Sequence, residues 1–209
     1  LYTSPHIKDF NERIRVNGIA ITDDELIEYT EKLLPIAEEM DATFFEITTV
    51  MAFLYFADKG VDVAVIETGM GGRFDSTNII NPKVCVITDI DMDHEEFLGD
   101  TIEKIAFEKA GIIKPNTQII TTNDAENVLA VIREKANKEN AELILSEVQT
   151  NDEVTNTIRS KFISHSFIKN YSAALKACEI YLGQPITTEY KPKRLGILRR
   201  TRATLLACR

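Results

Sequence analysis

The sequence has no tryptophan, no Gly-Lys pair and no long hydrophobic run. A chain without a Gly-Lys pair contains no Walker A phosphate-binding loop. The longest apolar stretch, residues 50–57, is far shorter than the roughly 20 residues that cross a bilayer, and no secretory signal pattern opens the chain. The three cysteines (Cys85, Cys178 and Cys208) lack the spacing of a metal or redox site. Together these absences favour a cytoplasmic protein.

The net charge of −9 over 209 residues is unevenly distributed. Residues 191–209 carry seven Lys or Arg and no acid, which leaves 17 of the 24 basic residues and all 33 acidic ones in residues 1–190, a net charge of −16. An acidic body argues against a nucleic-acid or anionic-membrane partner. The basic end could be a nucleic-acid-binding tail or a segment foreign to the rest.

Helical and strand patterns alternate along the chain. Capping-box sequences at Thr22/Glu25 and Thr43/Glu46 precede apolar segments typical of helices. Further helices are expected over residues 101–110, 125–138 and 168–182, with strands over residues 61–66, 83–88, 118–121 and 142–145. This order predicts an α/β fold with a doubly wound, mostly parallel sheet.

The first predicted strand runs directly into Glu67 and a loop with three glycines, Gly69, Gly71 and Gly72. Bare backbone amides in such a loop could approach a ligand closely, although a simple Gly-rich turn beside a half-buried Glu67 would look the same. The loop is not a dinucleotide fingerprint, because Phe74 stands where the third glycine of that pattern would be.

The next strand ends in an acidic run that includes Asp89, Asp91 and Asp93. A calcium loop is excluded, because His94 replaces the glycine at the sixth position and Asp100 the glutamate at the twelfth. The run is either a solvated loop or part of a magnesium or manganese site formed by His94 and Glu67 at the ends of neighbouring parallel strands. Lys109, in the last turn of a helix before Gly111, would by itself be a partner of the helix dipole.

Four segments in this order resemble the folylpolyglutamate synthase family, which is often bifunctional with dihydrofolate synthase and belongs to the Mur ligase superfamily. They are Thr3-Ser4-Pro5-His6, the Glu-x-Gly-x-Gly-Gly-Arg-x-Asp-x-Thr-Asn run over residues 67–78, Asp93-His94 with Leu98-Gly99, and Glu108-Lys109-Ala110-Gly111-Ile112. The resemblance covers residues 1–147 and weakens beyond them.

The resemblance implies an ATP-dependent ligase that joins L-glutamate to a folate or dihydropteroate carboxylate through an acyl phosphate. It implies two Mg²⁺ ions, one held by Ser4 and Glu67 and the second by Glu67 and His94, with ATP as substrate. Lys109 matches a lysine that the family carbamylates, which replaces its interpretation as a dipole partner. Catalysis would therefore involve Lys109, His94 and Glu67. The pterin pocket would be lined by Thr43, Phe44, Phe45, Glu46, Phe74, Asp75 and Ser76.

Asn170 matches an asparagine near the adenine, although Ser166-Phe167 replaces the family's preceding His-Gln pair. A Walker-type loop upstream of Ser4 and the family's Asp-Gly-Ala-His-Asn motif do not occur here. We therefore expect an incomplete Mur-ligase-like ATPase domain over residues 1–186, an aberrant basic tail over residues 187–209, no C-terminal family domain, and no catalysis by this chain alone.

Two alternatives remain from the sequence. One is a Mur-type ligase acting on a peptidoglycan precursor, and the other is a non-catalytic remnant that binds metal or pterin. In the favoured interpretation the chain is a cytoplasmic monomer whose partners are ATP, L-glutamate and folate or dihydropteroate, with neither nucleic acid nor membrane among them.

Overall fold

The computed structural model describes residues 1–147, 165–186 and 204–208. Its strands are β1 (Arg15–Val16), β2 (Ile19–Ala20), β3 (Val63–Glu67), β4 (Val84–Ile87), β5 (Gln118–Thr121), β6 (Glu142–Leu145) and β7 (Thr204–Cys208). Its α-helices are α1 (Asp23–Glu39), α2 (Phe44–Asp58), α3 (Glu95–Leu98), α4 (Ile102–Ala110), α5 (Glu126–Lys138) and α6 (His165–Leu182). Short 3₁₀ helices span Phe10–Arg13 and Ser76–Ile79.

The main sheet has five strands in the order β3-β7-β4-β5-β6. β4, β5 and β6 pair in parallel, whereas β7 is antiparallel to both β3 and β4. β3 therefore runs in the same direction as β4, and four of the five strands of this sheet share one direction. The predicted α/β fold with a mostly parallel sheet is confirmed.

Helices cover both faces of the sheet, as the continuously apolar strands require. One face is joined to α6 by a cluster of Val84, Val86, Ile120, Ala173 and Ala177. The alternate residues of β4, Cys85 and Ile87, belong to a larger cluster that includes residues of α2, α4 and α5 on the opposite face. The sheet is thus doubly wound.

Both predicted capping boxes are present. The hydroxyl of Thr22 accepts from the amide of Glu25 at the start of α1, and the Thr43 hydroxyl does the same with the amide of Glu46 at the start of α2. In each case the glutamate side chain accepts from the threonine amide in return. These local pairs satisfy amides that a helix N-terminus otherwise leaves unpaired.

The position of β7 corrects one prediction. Glu67 and His94 were expected at the ends of neighbouring parallel strands, but β7 pairs with β3 along Val63–Glu67 and with β4 on its other side. Because adjacent strands lie about 4.8 Å apart, this insertion moves β3 and β4 to about 10 Å from one another. β7 itself lies in the stretch that the sequence assigned to a basic tail. Residues 148–164 and 187–203, which include most of that tail, lie outside the described residues.

Within the described ranges, no helix is both long and apolar enough to cross a lipid bilayer.

The start of α1 gives a pH-dependent contribution to stability that can be tested. A hydrogen-bonded ion pair with Lys59 at 2.7 Å, together with hydrogen bonds from Thr22, lowers the pKa of Glu25 from 4.5 to about 2. Because the folded pKa lies below the unfolded one, the carboxylate stabilises the fold fully above pH 4.5 and loses this effect as the pH falls towards 2.

We expect Glu25→Gln to lower the free energy of unfolding by about 1 kcal/mol at pH 7. Urea denaturation at a series of pH values should show the difference from the native protein shrinking below pH 4.5. Glu31→Gln, at an exposed position of the same helix, should leave stability unchanged. A Glu25→Gln difference that stays constant down to pH 3 would contradict the assignment.

Candidate functional site

Ser4 and Glu67, two predicted magnesium ligands, lie together at the carboxyl end of β3. The N-terminal segment runs beside β3, because the amide of Tyr2 donates to Val65 O at 2.8 Å and the amide of Glu67 donates to Tyr2 O at 2.9 Å. This alignment brings the amide of Ser4 to 2.9 Å from Glu67 Oε2. Glu67 is only 7% exposed, so its carboxylate is held in a fixed place at the sheet edge.

The glycine-rich loop after Glu67 is organised by Asp75. One carboxylate oxygen accepts from the amides of Gly69 and Met70 at 2.8 and 3.0 Å. The other accepts from the amide and the hydroxyl of Thr77 at 3.0 and 2.6 Å. The structure therefore gives Asp75 a role in building the loop, while its predicted contact with a pterin stays a prediction. Ser76, predicted with it, begins the following 3₁₀ helix.

The loop is docked on the end of α4, the helix that carries Lys109. The amide of Arg73 donates to Glu108 O at 2.8 Å, and the side-chain amide of Asn78 donates to Arg73 O and Gly111 O. A Cβ on Gly72 would lie 2.8 Å from Lys109 O, and one on Gly111 would lie 2.4 Å from Arg73 Cα. Both positions therefore require glycine, because the loop and the end of α4 approach too closely to leave room for a Cβ atom. Gly111 does end α4, but in a right-handed conformation with φ −59°.

Lys109 is half-buried in the last turn of α4. Its backbone oxygen lies against Gly72 of the glycine-rich loop, and its role as a carbamylated catalytic residue stays a prediction.

His94 follows β4 and adopts a left-handed conformation, φ 50°, before α3. Its Nε2 lies 3.6 Å from Asp93 Oδ2. In the described part of the chain, no three His, Cys, Asp or Glu side chains are grouped closely enough to hold a metal ion. The oxygen donors of Ser4 and Glu67 suit Mg²⁺, so these two fit the implied ion. The side-chain contact that the structure shows for His94 is the one with Asp93.

The N-terminus of α2 packs against the glycine-rich loop through Phe45. A Cβ on Gly69 would lie 2.5 Å from Phe45 Cζ, and the Phe45 ring lies 6.1 Å from that of Tyr2. Phe44 points outward and is 60% exposed, as is Phe74 at 83%. The predicted pterin-lining segments therefore meet at Gly69, with Phe44 and Phe74 exposed as aromatic surfaces.

Thr43 and Glu46, also predicted to bind substrate, are occupied by the capping box of α2. Glu46 Oε2 accepts from the hydroxyl and the amide of Thr43, both at 2.7 Å, and these hydrogen bonds lower the pKa of Glu46. Their substrate contacts stay predictions.

Asn170 lies half-buried on α6, next to a charged cluster that the sequence analysis missed. Lys169 Nζ lies 3.2 Å from both Asp89 Oδ2 and Asp124 Oδ2. Although burial opposes it, these hydrogen bonds raise the pKa of Lys169. The cluster ties α6 to the carboxyl ends of β4 and β5. The sequence showed only that an acidic residue follows each of these two strands, Asp89 after β4 and Asp124 after β5. Their contact with Lys169 could not be predicted, because Lys169 is 45 residues from Asp124 in the sequence.

Comparison with known proteins gives consistent results. The model of the Mur ligase middle domain matches residues 14–181. A dihydrofolate synthase/folylpolyglutamate synthase of Bacillus subtilis (strain 168) is 49% identical over 144 residues, which are 66% of this chain and 34% of that protein. The chain thus spans about a third of the length of this curated relative.

Solved structures agree with the fold. The crystal structure of folylpolyglutamate synthase from Thermotoga maritima superposes with a TM-score of 0.78 and 31% identity, covering 95% of this chain and 52% of that one. A folylpolyglutamate synthase complex with AMPPCP and folate superposes with a TM-score of 0.77 and 29% identity, covering 90% of this chain and 53% of that one.

Proposed function

The chain belongs to the Mur ligase middle domain family, in its folylpolyglutamate synthase branch, and from this membership we propose that it serves the ATP-dependent joining of L-glutamate to a carboxylate of folate or dihydropteroate. The observation that carries the proposal is the junction at the end of β3. There Ser4 meets the buried Glu67 beside a glycine-rich loop that is fixed to the helix of Lys109. A Mur-type ligase for peptidoglycan precursors is not favoured by these relatives.

In the proposed reaction, a carboxylate oxygen of the acceptor attacks the γ-phosphorus of ATP, which forms an acyl phosphate and releases ADP. The amine of glutamate then attacks the acyl carbon, the amide bond forms, and inorganic phosphate leaves while the amine loses a proton. Charge stabilisation at the transferring phosphoryl group is the main demand on the protein in such a step.

The residues of this chain would stabilise that charge through their positions around the reacting groups. Ser4 and Glu67 would hold Mg²⁺, which when bound neutralises phosphate charge. The glycine-rich loop, held in shape by Asp75, keeps Glu67 in a fixed place next to α4. The exposed rings of Phe44 and Phe74 offer flat surfaces for a pterin. His94 and the carbamylated Lys109 are proposed as further catalytic groups, and Asn170 as an adenine contact.

We also propose that the part of the chain that follows the family pattern ends near residue 186, which is supported by a family match that stops at residue 181. The sheet takes one further strand, β7, from the residues beyond it. The cytoplasm as its compartment and the monomeric state remain proposals from the sequence and the resemblance.

The proposed activity is tested with the protein as its gene encodes it. Incubation with Mg²⁺, ATP, L-glutamate and either tetrahydrofolate or dihydropteroate should release ADP, and mass spectrometry should detect a product larger by one glutamyl residue. A reaction without glutamate is the control and should yield no such product. Absence of ADP release and of product with both acceptors would refute the proposal, and ligation of a nucleotide-linked peptidoglycan precursor would favour the alternative.

A further inference from the structure

Arg13 is a buried cation without a carboxylate partner. It ends the 3₁₀ helix Phe10–Arg13 and is 7% exposed. Among the residues that the structure describes, Arg13 forms no ion pair with an aspartate or glutamate. Because burial of an unpaired charge is costly, the surroundings of this guanidinium need an explanation.

Neighbouring rings hold the guanidinium in one orientation. Its Nε donates to His6 Nδ1 at 2.8 Å, and its central carbon lies 5.7 Å from the Phe10 ring centroid and 5.5 Å from that of Phe44. Phe10 and Phe44 meet edge to face, with centroids 5.9 Å apart. Cation–π contacts of this kind offset part of the desolvation of the charge.

The two terminal nitrogens of Arg13 are left for another group. In the described ranges, a protein acceptor is observed for Nε, which is His6 Nδ1, but not for either terminal nitrogen. The single fully buried side-chain polar atom without a hydrogen bond in the same ranges is Asn78 Oδ1, so the terminal nitrogens of Arg13 are not completely buried, although the residue as a whole is 7% exposed. A planar guanidinium matches the geometry of a carboxylate, which it can bind through two parallel hydrogen bonds from its terminal nitrogens.

We propose that Arg13 binds a carboxylate of the folate-type acceptor through its two terminal nitrogens. The inference rests on the proposed function, because Phe44 belongs to the segment expected to line the pterin pocket. His6, which fixes Nε, is two residues from Ser4, whose amide binds Glu67. Arg13 therefore connects the aromatic surface of α2 with the end of β3, where the acceptor would react.

The test compares folate with its dimethyl ester, in which both carboxylates are neutral. Isothermal titration calorimetry would measure both ligands in the presence of Mg²⁺ and a non-hydrolysable ATP analogue. We expect the native protein to bind folate about 10- to 100-fold more tightly than the ester, as a hydrogen-bonded charge pair predicts. Arg13→Gln should weaken folate binding by a similar factor and change ester binding less than twofold.

Arg15→Gln is the matched control, because the Nε of Arg15 donates to Glu12 O and Arg15 lines a different pocket, together with Lys59 and Asp62. It should bind both ligands as the native protein does. Arg13→Lys keeps the charge without the planar fork and should lie between the native protein and Arg13→Gln. If Arg13→Gln fails to fold, the inference is tested by Arg13→Lys together with the comparison of folate and its dimethyl ester in the native protein.

Each outcome has a definite meaning. Equal binding of folate and its ester by the native protein would overturn the inference and leave the proposed function standing. Equal weakening of both ligands by Arg13→Gln would also overturn it, because the role of Arg13 would then be structural. Failure of the folded native protein to bind either ligand would refute the proposed function and the inference together.

Discussion

Gly111→Ala is expected to destabilise the protein by about 3 kcal/mol, because the new methyl group would overlap the backbone of the glycine-rich loop. The added Cβ would lie 2.3 Å from Arg73 Cβ and 2.4 Å from Arg73 Cα. Shortening the Arg73 side chain cannot relieve the second contact, since the Cα belongs to the backbone. The loop would have to move away from α4, and the hydrogen bond from the amide of Arg73 to Glu108 O would break.

Urea denaturation would measure the loss of stability, and amide hydrogen exchange would report on the loop. Gly183→Ala is the control, because Gly183 has φ +67° and open space around its Cα. That variant should lose about 1 kcal/mol from its left-handed backbone alone and leave exchange at Arg73 unchanged. Unchanged exchange at Arg73 in Gly111→Ala would show that the loop does not depend on this close approach.

Glu67→Gln is expected to reduce ligation by about 100-fold or more, because it removes the negative charge proposed to hold Mg²⁺. The glutamine keeps an oxygen that can accept from the amide of Ser4, so the end of β3 should retain its shape. Glu67→Ala loses both the charge and that acceptor, and should in addition lower thermal stability. The difference between the two variants separates the chemical role of Glu67 from its structural one.

The decisive measurement is the Mg²⁺ concentration that gives half-maximal activity, which should rise about tenfold or more in Glu67→Gln. Glu142→Gln is the matched control. Glu142 is an exposed carboxylate at the start of β6, whereas Glu67 lies at the end of β3. It should retain the activity and the Mg²⁺ requirement of the native protein. An unchanged Mg²⁺ requirement in Glu67→Gln would remove Glu67 from the metal site.

The predictions that held were those governed by short stretches of chain. The capping boxes at Thr22 and Thr43 need only a threonine and a glutamate three residues later, and both are present. β5 and β6 have the predicted bounds, because a short apolar run between helical segments is itself a local signal. The resemblance assigned Ser4 and Glu67 to one magnesium ion; the structure joins them by a hydrogen bond from the amide of Ser4, and their binding of the ion stays a prediction.

The features that were missed depend on residues far apart in the chain. β7 lies in the stretch that the sequence assigned to a basic tail, and its place between β3 and β4 is set by pairing with strands far away in the chain. The four hydrogen bonds by which Asp75 organises the glycine-rich loop were not expected from the sequence, and its predicted substrate contact stays a prediction. Gly111 ends α4 as predicted, but its close contact with the backbone of Arg73 was not expected from the sequence.

By itself, the sequence determined the alternation of helices and strands, the helix starts and the family, since each is written in neighbouring residues or in motifs of fixed spacing. Only the tertiary structure decided the order of the strands, the close approach of Gly111 to Arg73, and the burial of Arg13 against Phe44. These depend on which segments pack together. Which segments pack together depends on the burial of apolar surface and the pairing of backbone groups over the whole fold, so it cannot be predicted from any single segment of the chain.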